Sequence, residues 1–403
     1  MENANLTDIK DRTRLFQEGV LVNVQYWQEW LEDHLHDVET TDRRQHNVVR
    51  AISFALGCQE GWLISQDLIE SFSPFMEKRG YWDTWNTVLK QAISCTGTIK
   101  DTTSQAKLSA LYARLLYRQG RYGEMVAQYR TAIKLARQAE NIFVEARACT
   151  NLGYYYIEHD ARHWRRAEIL CCHALNRFKQ LDNDYGQAHT ENHLGVLYTK
   201  QGLWEQATVR LERACRLWQA MSDYSGLMYG YNNLGIMYNS LGCNANALSY
   251  LTKALRQAKI AGEQSFMGTI YMNMGNAYRS MTEPSQAEKY YQHAEKVFDK
   301  YENSYAKALL LGNIGLNFIL QQHWSRAKAC FEEALALWQA LNDKYGQIQG
   351  MIDILNYEVA MGQQKEVEKQ LVEIDQHLQQ FDPNQRYLHL YRQVDEIRRS
   401  LTG

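Results

Sequence analysis

Proline is scarce: the 403 residues hold three, Pro74, Pro284 and Pro383. So few helix breakers leave long helices unobstructed. Long apolar runs are missing as well. No stretch reaches the roughly 18 residues that a membrane-spanning helix needs. The opening residues, MENANLTDIKDRTR, are polar and contain no apolar signal-peptide core, so a cytoplasmic protein is expected. An excess of one charge is also lacking. Against 46 Asp and Glu stand 44 Lys and Arg, a net charge of −2. Nothing global points to a nucleic-acid or membrane partner.

Catalytic and metal-binding patterns are missing too. The eight cysteines show no CxxC spacing, which suits free thiols serving as small core hydrophobes. Cys171, Cys172 and His173 are consecutive, and neighbours about 100° apart on a helix do not converge on one metal. His34 and His36 face apart. There is no G-x-S-x-G, no H-E-x-x-H and no G-x-x-x-x-G-K-[ST]. The expectation is a non-enzyme without metal or cofactor.

What the chain does have is a period. Glycines recur at Gly153, Gly195, Gly235, Gly275 and Gly315, in steps of 42, 40, 40 and 40. Three residues after each stands an aromatic: Tyr156, Tyr198, Tyr238, Tyr278 and Phe318. Two alanine ladders keep time with them. One is Ala167, Ala207, Ala247, Ala287 and Ala327. The other is Ala92, Ala132, Ala174, Ala214, Ala254, Ala294 and Ala334. A period of this length means stacked supersecondary units. Each unit reads as two helices broken by a glycine (Gly80, Gly120, Gly202, Gly242, Gly362), where a helix end favours a left-handed residue. A bulky anchor follows at Trp82, Tyr122, Trp164, Trp204 or Trp324, and Pro284 takes that place once. Glycine inside the first helix costs about 1 kcal/mol relative to alanine. Close approach of the second helix accounts for it, with alanines opposite and the aromatic beside them.

L-G-x-x-Y, a turn, W and then A-x6-A resemble the tetratricopeptide repeat in a 40-residue version. That version is similar to the repeats of Leu-Gly-Asn repeat-enriched adaptors and of bacterial STAND-type regulators. The resemblance implies an all-α, right-handed superhelical solenoid of about eight helix pairs with capping helices at both ends. Its expected divisions are a cap over 1–60 with helices near 7–38 and 42–57, repeats over 61–380, and a last helix over 381–403 starting at Asp382–Pro383. The P-loop ATPase that a STAND likeness would imply has no motif here.

In this family the first helix of each pair lines the groove. The position before the Leu/Met/Ile–Gly pair carries Asn151, His193, Asn233, Asn273 and Asn313. The resemblance makes this a ladder that holds an extended peptide backbone, and an amide has the donor and acceptor to do so. The alternative is that these amides bond to the neighbouring repeat. The register adds Lys107, Arg114, Arg118 and Arg147 from the early repeats. It adds Tyr154, His189, Asn192, Lys200, Tyr229, Asn232 and Asn239 from the middle. Asn276 and Arg279 come later, followed by the apolar Leu309, Leu316, Ile319 and Leu320. The expected groove is basic, then polar-aromatic, then apolar, suited to an acidic-then-apolar segment. The expected function is a protein- or peptide-binding scaffold, a sensor, adaptor or regulatory subunit acting with a separately encoded effector. A peptide-pheromone receptor and a nucleic-acid-binding solenoid are the other readings.

Overall fold

The computed structural model describes residues 2–57, 59–379 and 385–402. Among them are nineteen α-helices, one short 3-10 turn at Ala161–His163 and no strand. Two compact units divide at 152/153. Unit 1 contains α1 (Glu2–His34), α2 (Val38–Ala55), α3 (Gln59–Arg79), α4 (Trp82–Ile99), α5 (Thr102–Arg118), α6 (Tyr122–Gln138) and the first part of α7 (Ile142–His159). Unit 2 contains the rest of α7, α8 (Trp164–Gln180), α9 (Asp184–Lys200), α10 (Trp204–Ala220), α11 (Tyr224–Ser240) and α12 (Asn244–Ala261). It continues with α13 (Met267–Ser280), α14 (Pro284–Lys300), α15 (Ser304–Leu320), α16 (Trp324–Ala340), α17 (Lys344–Ala360), α18 (Gln364–Gln379) and α19 (Gln385–Thr402). Cys58 and the expected helix start at Asp382–Pro383 lie outside the described residues. The other seven cysteines are reduced thiols; Cys149, Cys171 and Cys215 are buried, while Cys243 is exposed rather than in the core. No described helix is long and apolar enough to cross a membrane.

The turn chemistry repeats with the same period. Gly80, Gly120, Gly202, Gly242 and Gly362 all have positive φ. Thr282 and Gln322 hold the same left-handed turn without being glycine, at φ 57° and 58°. At the other end of each pair a second ladder caps the next helix. Asp101, Asn183, Asp223, Asn303 and Asp343 each accept a hydrogen bond from the backbone N–H three residues on, at 2.7–3.0 Å. The first helix, expected over 7–38, ends at His34 for the same reason: Asp37 caps α2 by accepting from Thr40 N–H at 3.1 Å.

The glycine ladder has the role expected of it, but the knob it receives is a residue the periodicity did not single out. A Cβ on Gly195 would lie 2.5 Å from Leu211 Cγ, and one on Gly235 2.6 Å from Leu251 Cγ. At Gly153, Gly275 and Gly315 the intruding side chains are Cys171, Tyr291 and Phe331. These five knobs form one register on the second helices. The ladder alanines are buried as well.

A further small-to-large match joins each pair to the next. Phe178 lies on Gly186, Trp218 on Gly226 and Trp338 on Gly346. At one place the sizes are reversed: Ala258 occupies the knob register and Phe266 the glycine register, and the two share a core cluster. The cap ladder fails here too, because Glu263 stands where Asp or Asn would, and Gly262 ends α12 left-handed. As a result α13 is three residues shorter than its neighbours, starting at Met267. At the C-terminal end, α19 buries Leu390, Val394 and Ile397 against α17 and α18.

Two substitutions test this packing. Thr282→Gly relieves a β-branched residue of a left-handed backbone and raises stability by about 1 kcal/mol, read from urea unfolding. Gly235→Ala loses about 1–3 kcal/mol through overpacking. Leu251→Ala has its own cavity cost of about 2–5 kcal/mol, but the double variant should lose less than the sum of the two single losses. Additive losses in the double variant would show that Leu251 is not the obstacle.

Candidate binding site

In unit 2 the same face of successive first helices forms one wall. On α9 the positions His189, Asn192, His193, Val196 and Lys200 lie at three- and four-residue steps, and on α11 Tyr229, Asn232, Asn233, Ile236 and Ser240 do the same. Tyr154 and Glu158 join from α7, Trp218 from α10 and Phe266 from the entry to α13. Together they bound a cavity of about 630 Å³, within the usual range of roughly 300–1,000 Å³ for ligand pockets.

Aromatic rings set its walls. His193 stacks on Tyr154 with centroids 4.5 Å apart. His189 meets Trp218 edge to face at 5.3 Å, and Tyr229 meets Phe266 at 4.8 Å. Phe266 reaches the cavity because of the reversed sizes at 258 and 266, so a strict register could not have named it. Lys200 and Glu158 form an ion pair at 3.3 Å.

Two of the ladder amides take the second role foreseen for them, bonding to the neighbouring repeat. Asn233 Nδ2 donates to Asn192 Oδ1 at 2.9 Å, and Asn273 Nδ2 donates to Asn232 Oδ1 at 2.9 Å. Asn233 and Asn273 thus each bond to the preceding repeat with one N–H. That bond orients its Oδ1 and second N–H without consuming them. The clasp stops at Asn313, where the residue 41 positions back is Met272, and Asn313 Nδ2 turns to its own helix at Leu309 O, 3.1 Å away. His193 interrupts the ladder as an aromatic wall residue. Its Nδ1 is buried without a hydrogen-bond partner.

Of the residues expected from register, Tyr154, His189, Asn192, His193, Lys200, Tyr229, Asn232 and Asn233 come together here. Lys107, Arg114, Arg147 and Asn151 line a separate cavity of about 160 Å³ in unit 1. Its expected basic character is corrected by α3. Glu70 holds Lys107 at 3.0 Å, and the buried Glu77 takes the Arg114 guanidinium through Nε and Nη2 at 2.8–3.0 Å. Two of the expected cations are therefore compensated from within the fold, by residues 37 positions earlier. Arg118 is exposed and lines neither cavity. Asn239 lies outside the large cavity, its Oδ1 buried without a partner. Asn276 and Arg279 turn to the buried Tyr291: its hydroxyl donates to Asn276 Oδ1 at 2.8 Å and accepts from Arg279 Nε at 3.3 Å. Glu158, Val196, Trp218, Ile236 and Phe266 were missed; a three/four-residue step from Asn192 and Asn232 would have found Val196 and Ile236.

Burial, with a smaller contribution from His189, holds His193 down at about 3. A lowered histidine contributes stability that is present above its unfolded pKa of about 6.5 and is lost as pH falls toward the folded value. His193→Asn restores the amide of the other repeats. Its melting temperature is expected to fall less than the wild type's between neutral pH and pH about 5, and parallel curves would contradict this.

Residues 227–300 and 266–340 match the model of the tetratricopeptide repeat. No curated protein matches the chain by sequence. Solved structures are similar in fold. Aspartyl phosphate phosphatase F from Bacillus subtilis is 9% identical with TM-score 0.57, over 89% of this chain and 93% of that one. A Rap protein in complex with competence and sporulation factor is 12% identical with TM-score 0.53, over 85% and 99%. A STAND protein with a tetratricopeptide repeat sensor from Pyrococcus horikoshii is 14% identical with TM-score 0.55, over 84% of this chain and 50% of that one. The period, the paired helices with small-on-large crossings, and the matched repeats agree: the chain is a tetratricopeptide repeat protein.

Proposed function

We propose that the protein is a non-catalytic binding scaffold whose 630 Å³ cavity takes a short extended polypeptide segment. The observation that carries this is the pair of clasped asparagines. Asn233 is fixed by Asn192 yet keeps an acceptor and a donor for a peptide unit. Tyr229 and Ile236, both substantially exposed, give side chains of the segment an apolar seat beside them. The titratable groups fit binding better than proton transfer, since Lys200 and Glu158 pair with each other and His193 stays neutral.

A receptor for a small peptide signal is the form of this reading we favour. The fold likeness to a Rap protein complexed with competence and sporulation factor supports it by analogy alone. The output would pass to a separately encoded effector. Nucleic acid is disfavoured, because Lys107, Arg114 and Lys200 are each neutralised by a carboxylate within the fold.

Selection from a random linear peptide display library tests the reading. Peptides selected on the wild type should bind Tyr229→Ala and Ile236→Asp roughly tenfold or more weakly, a loss of about 1.4 kcal/mol or more. Both side chains are exposed enough to leave folding intact, which circular dichroism checks. Arg118→Ala should bind as the wild type does. Peptides that bind all variants equally would place recognition elsewhere and sink the proposal.

A further inference from the structure

A second cavity in unit 2, about 280 Å³, lies between α15, α16 and α17. It was expected to be apolar, and Leu309 and Leu316 do line it. Its floor is different. Asp353, on α17, lines it together with Tyr305, Trp338 and Tyr345, and among the described residues no lysine, arginine or histidine does. Tyr305 and Trp338 meet edge to face at 5.0 Å. Asp353 Oδ1 accepts from Gln349 Nε2 at 3.0 Å. Among the described residues, no hydrogen bond or ion pair reaches its Oδ2. Gly312 on α15 faces that oxygen: a Cβ there would stand 3.4 Å from it, so glycine keeps the approach open.

Such a carboxyl is costly in an isolated fold. Ion pairs elsewhere in the chain show the contrast: Glu77 has Arg114, and Glu191 has Arg210 at 2.9 Å. Asp353 has only a neutral amide, and burial pushes its carboxyl up to about 7. A charge enclosed by aromatic rings, with one oxygen unspent and a mouth kept open by glycine, is a receptor for a cation. Aromatic faces attract cations, and a carboxylate binds a guanidinium or ammonium by charge-assisted hydrogen bonds.

We propose that this cavity receives the basic side chain of a polypeptide partner, its charge on Asp353 and its stem along Tyr305, Trp338 and Leu309. Arginine fits best, because its planar head stacks on rings and spreads its donors in one plane. The proposal stands independently of the 630 Å³ cavity.

The test uses the full chain with 15N-labelled tryptophan, following the Trp338 indole resonance, which is identified by its loss in Trp338→Phe. The probes are N-acetyl-arginine methylamide, its lysine and citrulline counterparts, and tetramethylammonium. The arginine probe should shift the resonance saturably and the uncharged citrulline probe should not. Asp353→Asn should weaken arginine binding roughly tenfold or more while the protein stays folded, since Asp353 is only half-buried and an amide of the same shape replaces a carboxyl with no ion pair among the described residues. Gly312→Leu should block binding by filling the mouth with the carboxyl still present. Equal shifts from arginine and citrulline, or full binding by Asp353→Asn, would overturn the cation site. Tighter binding of tetramethylammonium than of both amino-acid probes would overturn the side-chain assignment in favour of a small methylated amine.

Discussion

The central repeats hang on one steric constraint: at five successive crossings a helix presents a backbone without a side chain to a knob from its partner. Leu211 sits where a Cβ of Gly195 would be, and Leu251 does the same to Gly235. The glycine costs about 1 kcal/mol in helix propensity, and the packing it permits outweighs that cost. Once the crossing is set, the rest follows in order. The alanines close the interior, the left-handed turn after the first helix sets the return, and the Asp or Asn cap starts the next pair.

The same constraint explains where function can arise. A repeat array is monotonous by construction, so a site needs a departure from the period. Two departures make the large cavity. Ala258 and Phe266 exchange sizes, which brings Phe266 to the wall and shortens α13. His193 replaces an asparagine and stacks on Tyr154. In the smaller cavity the departure is Asp353, a carboxyl without a counter-charge. In the unit 1 cavity, by contrast, two of the three lining cations are answered within the fold, Lys107 by Glu70 and Arg114 by Glu77.

The amide ladder shows how one residue can join two repeats and still keep hydrogen-bonding groups in hand. The Asn233–Asn192 bond joins neighbouring repeats and fixes the side-chain angle. Held in that way, the remaining donor and acceptor of Asn233 are already oriented, which is the preorganisation that the proposed binding role needs. Asn313, which lacks its partner because Met272 precedes it, is spent on its own helix. Of the two roles weighed for these asparagines, the bond to the neighbouring repeat is the one seen at Asn233 and Asn273.

By itself the sequence determined the all-α class, the helix pairs, their 40-residue period and the wall positions Tyr154, His189, Asn192, His193, Tyr229, Asn232 and Asn233. These follow from local rules, because helical spacing and turn chemistry are written along the chain. Only the tertiary structure decided which charges survive. Glu70 and Glu77 lie 37 residues before the cations they neutralise, and no local pattern announces such a pairing. It also decided that Phe266 lines a cavity, that Asn276 and Arg279 turn to Tyr291, and that Asp353 is left alone among aromatic rings. In each case the outcome depends on what a neighbouring helix places opposite the residue, and the period fixes that position without fixing its chemistry.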